Sequence, residues 1–255
     1  MNPWIKYREE VDILTASVTA WRVVETQNKS YSRKLVNSIE ELDILEELLE
    51  ESKPRLDKPI LDKYHYLLFT PFRYPPLKYG SRFGRRFEPS LWYGSLELET
   101  ALHEVAYYRL LFLQDTHAEL TLSFMLSAFS AVATSDKSVD LTLPPFASHT
   151  DEISSPKSYA YSQLLGSAMR IEGIEFFLYN SARTVKNKGK NIGIFYPKVF
   201  KSKQLATTPS PWNCFVNQTS VEFWHVDRAG KPQKVICHKE EFIVDGAIRY
   251  ADTLD

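Results

Sequence analysis

The stretch from Tyr64 to Leu113 constrains the fold of this chain more than any other. It reads YHYLLFTPFRYPPLKYGSRFGRRFEPSLWYGSLELETALHEVAYYRLLFL. Tyr66, Leu67, Leu68 and Phe69 make a short apolar run that predicts a strand, and Pro71 closes it just before Arg73 and Tyr74. A basic loop with Arg82, Arg85 and Arg86 follows, then the aromatic segment Leu91-Trp92-Tyr93-Gly94. Last comes a helical pattern in which Glu104 sits among Ala101, Leu102, Val105 and Tyr108. Strand, basic loop, aromatic segment and helix in succession point to a mixed α and β domain.

A chain of 255 residues can form one large domain or two small ones, with a substantial core. We expect a single domain over 1–255, with a core at about 21–200, an N-terminal arm and a C-terminal strand pair at 212–245. The net charge of −1 gives no support to a general nucleic-acid or membrane-surface binder. Cys214 and Cys237 are too few for a disulfide framework or a zinc cluster and read as buried, reduced thiols. Asn28-Lys29-Ser30 and Asn217-Gln218-Thr219 have the glycosylation form, but the first residues show no apolar signal core and no run reaches the length of a membrane span. A cytoplasmic setting is expected, with both sequons there by chance.

Along the chain, Thr19 to Glu25 reads as a first strand and Asn28 to Leu35 as a loop. Ser38-Ile-Glu-Glu41 has the form of a capping box, opening a helix with Leu42, Leu45, Leu48 and Leu49 on one face, stopped by Lys53-Pro54. Glu119 to Ala133 reads as strand, and Ser135 to Pro156 as a polar connection. Tyr159 to Ile171 is a second helix ended at Gly173. Strands are expected at Ile174–Tyr179 and Asn191–Tyr196, separated by the loop Asn180–Arg183 and a basic turn at Lys186–Lys190. Val221–Val226 and Lys234–His238 form a strand pair around the turn Asp227–Gly230.

Several residues in this layout can carry chemistry. The guanidinium of Arg73 offers a planar fork suited to a pyrophosphate; a surface ion pair is an equally good account. Arg82, Arg85 and Arg86 fit a solvated loop, though one of them could clamp a phosphate. Tyr93 can stack on a flat heterocycle, while core packing is the commoner use of such a ring. Glu104 borders the apolar face of its helix, where a carboxylate needs a partner; Arg109 is one candidate and an active-site role another. Ser181 lacks a G-x-S-x-G elbow, so a hydrolase triad has poor support. The histidines show no metal-ligand spacing, and neither a Walker loop nor a G-x-G-x-x-G is present.

Taken together, Arg73 in F-R-Y-P-P, Glu104 in A-L-H-E-V-A and Ser181 in Y-N-S-A-R resemble the Arg-Glu-Ser signature of the RES domain family. Gly80-Ser-Arg-Phe83, Leu91-Trp-Tyr-Gly94, Gln163-Leu-Leu-Gly166 and Asn191 before an apolar strand extend the resemblance from about Trp21 to Phe200. It implies an α+β fold like that of ADP-ribosyltransferases, a split mixed β-sheet around a NAD cleft with a few flanking helices. It also implies a bacterial toxin that degrades NAD+ at the nicotinamide–ribose bond by hydrolysis or phosphorolysis, partnered by an Xre-type helix-turn-helix antitoxin. NAD+ would be the substrate, with no separate cofactor and no metal. Arg73 would hold the phosphates, helped by Tyr74 and Arg82, and Tyr93 would stack near nicotinamide. Glu104 would stabilise the positive charge on the ribose, and Ser181 and Asn191 would help shape the cleft. Protein ADP-ribosylation and a catalytically silent binding module are the competing expectations.

Overall fold

The computed structural model describes residues 2–26, 38–51, 64–74, 78–116, 121–184 and 189–254. Eight strands form one mixed sheet: β1 (Leu14–Glu25), β2 (Trp92–Ser95), β3 (Leu122–Asp140), β4 (Phe176–Asn180), β5 (Lys190–Ile194), β6 (Ser210–Val216), β7 (Ser220–Val226) and β8 (Pro232–His238). Their order is β1-β2-β5-β4-β3-β6-β7-β8, with β1 also paired along β3. The β3–β4 pair is parallel and the others are antiparallel. The helices are α1 (Pro3–Tyr7), α2 (Ile39–Glu51), α3 (Tyr66–Arg73), α4 (Leu98–Asp115), α5 (Thr150–Ile153) and α6 (Ala160–Ile171).

Strand β3 organises the sheet. One of its edges pairs with β1 from Leu126 to Ser138. The other edge is divided: β6 takes residues 122–128 and β4 takes 138–140. Between them, Lys201 N and Ala206 N donate to Val132 O and Ser130 O at 2.9 and 2.8 Å. The pair Trp21–Ser95 joins β1 to β2 and closes a cycle through β5, β4 and β3.

Alternation along β1 sorts its side chains between two cores. Ala16, Val18 and Ala20 face Leu68, Trp92, Phe129 and Ile192. Trp21 and Val23 face Leu102, Ala106 and Leu110 of α4.

The apolar run at Tyr66–Phe69, expected as a strand, is the start of α3. Four apolar residues fit either state, and local capping decides between them. His65 Nδ1 accepts from Leu67 N at 3.3 Å. Pro71 lies inside the helix and brings no N–H to Leu67 O; the indole Nε1 of Trp92 donates to that carbonyl at 3.3 Å instead. The polar connection expected from Ser135 is strand as far as Asp140, followed by a 3-10 turn at Phe146–His149 and α5. Its serines are satisfied by tertiary partners: Ser138 Oγ donates to Leu14 O and Ser135 Oγ to Glu175 Oε2, both at 2.7 Å. The N-terminal arm packs into the core, with Trp4 stacked on Phe146 and 1% exposed.

Other expectations hold. Helix α6 stops at Gly173, whose φ of +77° suits glycine. The C-terminal strand pair is β7 and β8. Cys214 and Cys237 are buried free thiols, each pushed up to about 12 by burial. Ser38 Oγ accepts from Glu41 N at 3.1 Å at the start of α2, although Leu48 and Leu49 of that helix are exposed. The loop at Asn28–Leu35, the stop at Lys53-Pro54 and most of the Lys186–Lys190 turn lie outside the described residues. Among the described residues no helix is long and apolar enough to cross a membrane.

Gly166 lets α6 meet the chain at Phe83, since a Cβ there would fall 2.1 Å from Phe83 O. Gly166→Ala is expected to destabilise the protein by about 2–3 kcal/mol. In calorimetry this lowers Tm by about 5–10 °C; a fall under about 2 °C would contradict the close packing.

Candidate active site

A cavity of about 1040 Å3 opens between the strand cycle, α4 and the segment 250–253. Its floor is one register row across four strands. Trp21 pairs with Ser95, Ser95 with Asn191, and Asn191 with Tyr179. All four line the cavity, because registered partners point to the same face of a sheet.

Glu104 hangs over this row from the flank of α4. Its Oε1 accepts from Ser181 Oγ at 2.7 Å and from Asn191 Nδ2 at 2.6 Å. Both donors are themselves held. Ser95 Oγ donates to Asn191 Oδ1 at 2.7 Å, Ser181 N donates to Gly189 O at 2.7 Å, and Arg183 N donates to Ser181 Oγ at 3.0 Å. The second oxygen, Oε2, receives no hydrogen bond from a described residue, and Glu104 lines the cavity. Arg109, the structural partner considered from sequence, turns away: it pairs with Glu25 at 2.9 Å and lies over the Phe124 ring. Three of the sequence-predicted residues, Glu104, Ser181 and Asn191, therefore meet at one carboxylate oxygen.

Three arginines are among the residues that line the same cavity. Arg82, expected on a basic loop, is 8% exposed; its Nη1 donates to Ser155 O at 2.8 Å and its guanidinium covers the Tyr159 ring. Arg183 is 5% exposed and lies 3.3 Å from the Tyr107 ring centroid. Arg22, near the end of β1 and on the face that Val18 and Ala20 turn to the Trp92 core, donates to Tyr93 O at 3.3 Å and stacks over Trp92. Burial lowers the Arg22 guanidinium to about 10, so it stays cationic at neutral pH. Among the described residues none of the three has a carboxylate within ion-pair distance.

Tyr93 lines the cavity, but its hydroxyl is committed to the fold. It shares a hydrogen bond with Ser81 Oγ at 2.9 Å and accepts from Phe83 N at 3.0 Å, and burial raises it to about 12. Tyr108 lines the cavity and exposes half its surface. Its hydroxyl is nevertheless pushed well above the usual phenol range, first by burial and then by Tyr159 and Glu104. Gln163, fully buried on α6, holds the loop before Phe83 by donating to Ser81 O at 3.0 Å.

Arg73 and Tyr74 end α3 and are not among the residues that line the cavity. Neither are Arg85 and Arg86. Sequence reading passed over Arg22, although a cation between Trp21 and Val23 in an apolar strand was a visible signal. It also passed over Arg183, two residues after Ser181, and over Asp252. No three His, Cys, Asp or Glu side chains gather as a metal-binding group among the described residues.

The family model described as RES domain matches residues 55–213, more than half of the chain. The matched span contains Arg82, Tyr93, Glu104, Ser181, Arg183 and Asn191, while Arg22 and the wall at 250–253 lie outside it. No curated protein matches the chain. By the match over residues 55–213 the chain belongs to the RES domain family.

Proposed function

We propose that this protein binds NAD+ in the cavity and cleaves the nicotinamide–ribose bond. The observation that carries the reading is the combination of one carboxylate, fixed through Oε1 by Ser181 and Asn191, with three guanidiniums that have no acidic partner among the described residues. Unpaired cations in a cleft suit a pyrophosphate. The cavity, at about 1040 Å3, has room for a dinucleotide. In this reading the phosphate role expected of Arg73 belongs to Arg22, Arg82 and Arg183. Tyr108 and Tyr159 supply aromatic rings to the cavity lining.

The chemistry asks little of the protein beyond placed charge. Nicotinamide leaves as a neutral group from a cationic nitrogen, so no general acid is required. The ribose passes through an oxocarbenium-like state, and a fixed carboxylate stabilises positive charge where it develops. Ser181 and Asn191 are positioning residues: they hold Glu104 so that no reorganisation is needed at the moment of bond cleavage. Water or inorganic phosphate then takes the ribose carbon, giving hydrolysis or phosphorolysis; a protein side chain in that place would make the enzyme an ADP-ribosyltransferase. The family likeness extends the proposal to a bacterial cytoplasmic toxin restrained by an Xre-type helix-turn-helix antitoxin. Tyr108 and Tyr250, both exposed and both among the lining residues, suit such a cover. A silent binding module has no use for a carboxylate held by two donors.

Glu104→Gln keeps the shape and removes the charge. Turnover of NAD+ by purified protein, without a protein acceptor, should fall by about a hundredfold or more. NAD+ affinity should change much less, because the charge it opposes develops only in the transition state. A lowered Tm with turnover per folded molecule intact would mark Glu104 as structural and remove the catalytic reading. Consumption of NAD+ only when a protein acceptor is added would favour the transferase.

Arg22 makes a second test possible. Its folded-state value lies below that of an unfolded arginine, so burying the charge opposes folding at every pH below about 10. Arg22→Met should raise Tm by a few degrees while weakening NAD+ binding by about tenfold or more. An arginine kept for stability would show the opposite on both measurements.

A further inference from the structure

The segment 248–254 is built into the cavity wall. Ile248 is buried in the core under α4, and Gln114 Nε2 donates to its carbonyl at 3.1 Å. Tyr107 OH donates to Arg249 O, and Tyr250 OH to Asp115 Oδ2 at 2.8 Å. Asp252 then pairs on both sides with the chain before α6: its N donates to Lys157 O at 2.8 Å and its O accepts from Tyr159 N at 2.7 Å. Leu254 N donates to Gln163 Oε1 at 2.8 Å, on the same buried glutamine that holds the loop before Phe83.

These bonds fix the backbone of Asp252 and leave its side chain unassigned. The residue lines the cavity and is exposed, and its carboxylate makes no hydrogen bond or ion pair with a described residue. Glu104 and Asp252 are the two acids among the lining residues, and they stand on different elements. Glu104 faces the Ser95–Asn191–Tyr179 row, whereas Asp252 is tied to Tyr159, whose ring carries Arg82.

We propose that Asp252 is a specificity-determining residue that accepts hydrogen bonds from the ribose not engaged by Glu104 and disfavours a dinucleotide phosphorylated on that ribose. The inference rests on reading the cavity as a NAD+ site. A dinucleotide has two riboses and two phosphates, and the cavity offers two carboxylates and three guanidiniums. Three unpaired cations by themselves favour the more highly charged ligand, the 2′-phosphorylated dinucleotide. An ionised carboxylate accepts hydrogen bonds from ribose hydroxyls and cannot donate one, so a phosphate in the same place meets repulsion with no compensating bond. Asp252 thus supplies the repulsive element that a basic cleft needs in order to select the less charged dinucleotide.

The test measures dissociation constants for NAD+ and NADP+ by calorimetry on the full chain, with Glu104→Gln in every sample to block turnover. With Asp252 present, NAD+ should bind about tenfold or more tightly than NADP+. Asp252→Asn and Asp252→Ala should each narrow that ratio at least fivefold, chiefly through tighter NADP+ binding, with an unchanged melting temperature. Binding of both ligands with the same ratio in all three proteins overturns the role of Asp252 and leaves the NAD+ site standing. Failure of NADP+ alone to bind any of the three likewise overturns the role of Asp252, and failure of both ligands to bind any of them overturns the reading of the cavity, and this proposal with it.

Discussion

The register between β1 and β2 is the constraint on which the site depends. Trp21, Ser95, Asn191 and Tyr179 belong to four strands drawn from three separate parts of the chain, and pairing sets them side by side. At the usual strand spacing the row spans about 14 Å. A slip of one residue at any of these pairings would turn the affected side chains to the opposite face. Ser95 would then lose Asn191, and Asn191 would lose Glu104. The closure is small, a single registered pair between β1 and β2, but β1 is also held along β3 by a long antiparallel ladder. That ladder, with the apolar side chains beneath it, keeps the row in place.

Around the cavity, the balance of charge is unusual for an interior. Among the described residues, Glu104 meets two neutral donors in place of a cation, and Arg22, Arg82 and Arg183 meet carbonyls and aromatic faces in place of acids. Carbonyl and ring contacts recover part of the cost of removing a guanidinium from water and leave its net charge uncompensated. A fold selected for stability alone would pair these groups with one another. Keeping both signs apart across one cavity makes sense where a ligand of mixed charge completes the arrangement, which is the role the proposed function gives to NAD+.

The walls also show how a family signature relates to a whole site. Residues 55–213 carry Glu104, Ser181, Asn191, Arg82 and Arg183. Arg22 comes from β1, before that span, and Tyr250 to Thr253 come after it. The central span thus holds the carboxylate and its two donors. Flanking segments add a third cation and a second acid. Differences in ligand choice between proteins sharing the signature could arise in such flanking walls without disturbing the central network.

The sequence by itself determined the mixed α and β class, α6 with its stop at Gly173, the strands after it and the C-terminal pair. These follow from local periodicity and glycine conformation, which act within a few residues and can be read from one chain. Ser181 and Asn191 are singled out by the resemblance to the RES domain family rather than by any local pattern, and Glu104 by that resemblance together with its place at the edge of an apolar helix face. Tertiary structure decided the rest. The run at Tyr66–Phe69 is helical because His65 caps it and Trp92 donates to the carbonyl that Pro71 leaves open. The serines at 135 and 138 sit in a strand because Glu175 and the Leu14 carbonyl accept their hydroxyls. Which arginines share a cavity with Glu104 depends on a closed cycle of strands and on a segment that returns from residue 248, and no local pattern encodes either. Guanidiniums look alike in sequence; the long-range pairing that brings Arg22 and Arg183 to the cavity, and leaves Arg73 outside its lining, is a property of the folded chain alone.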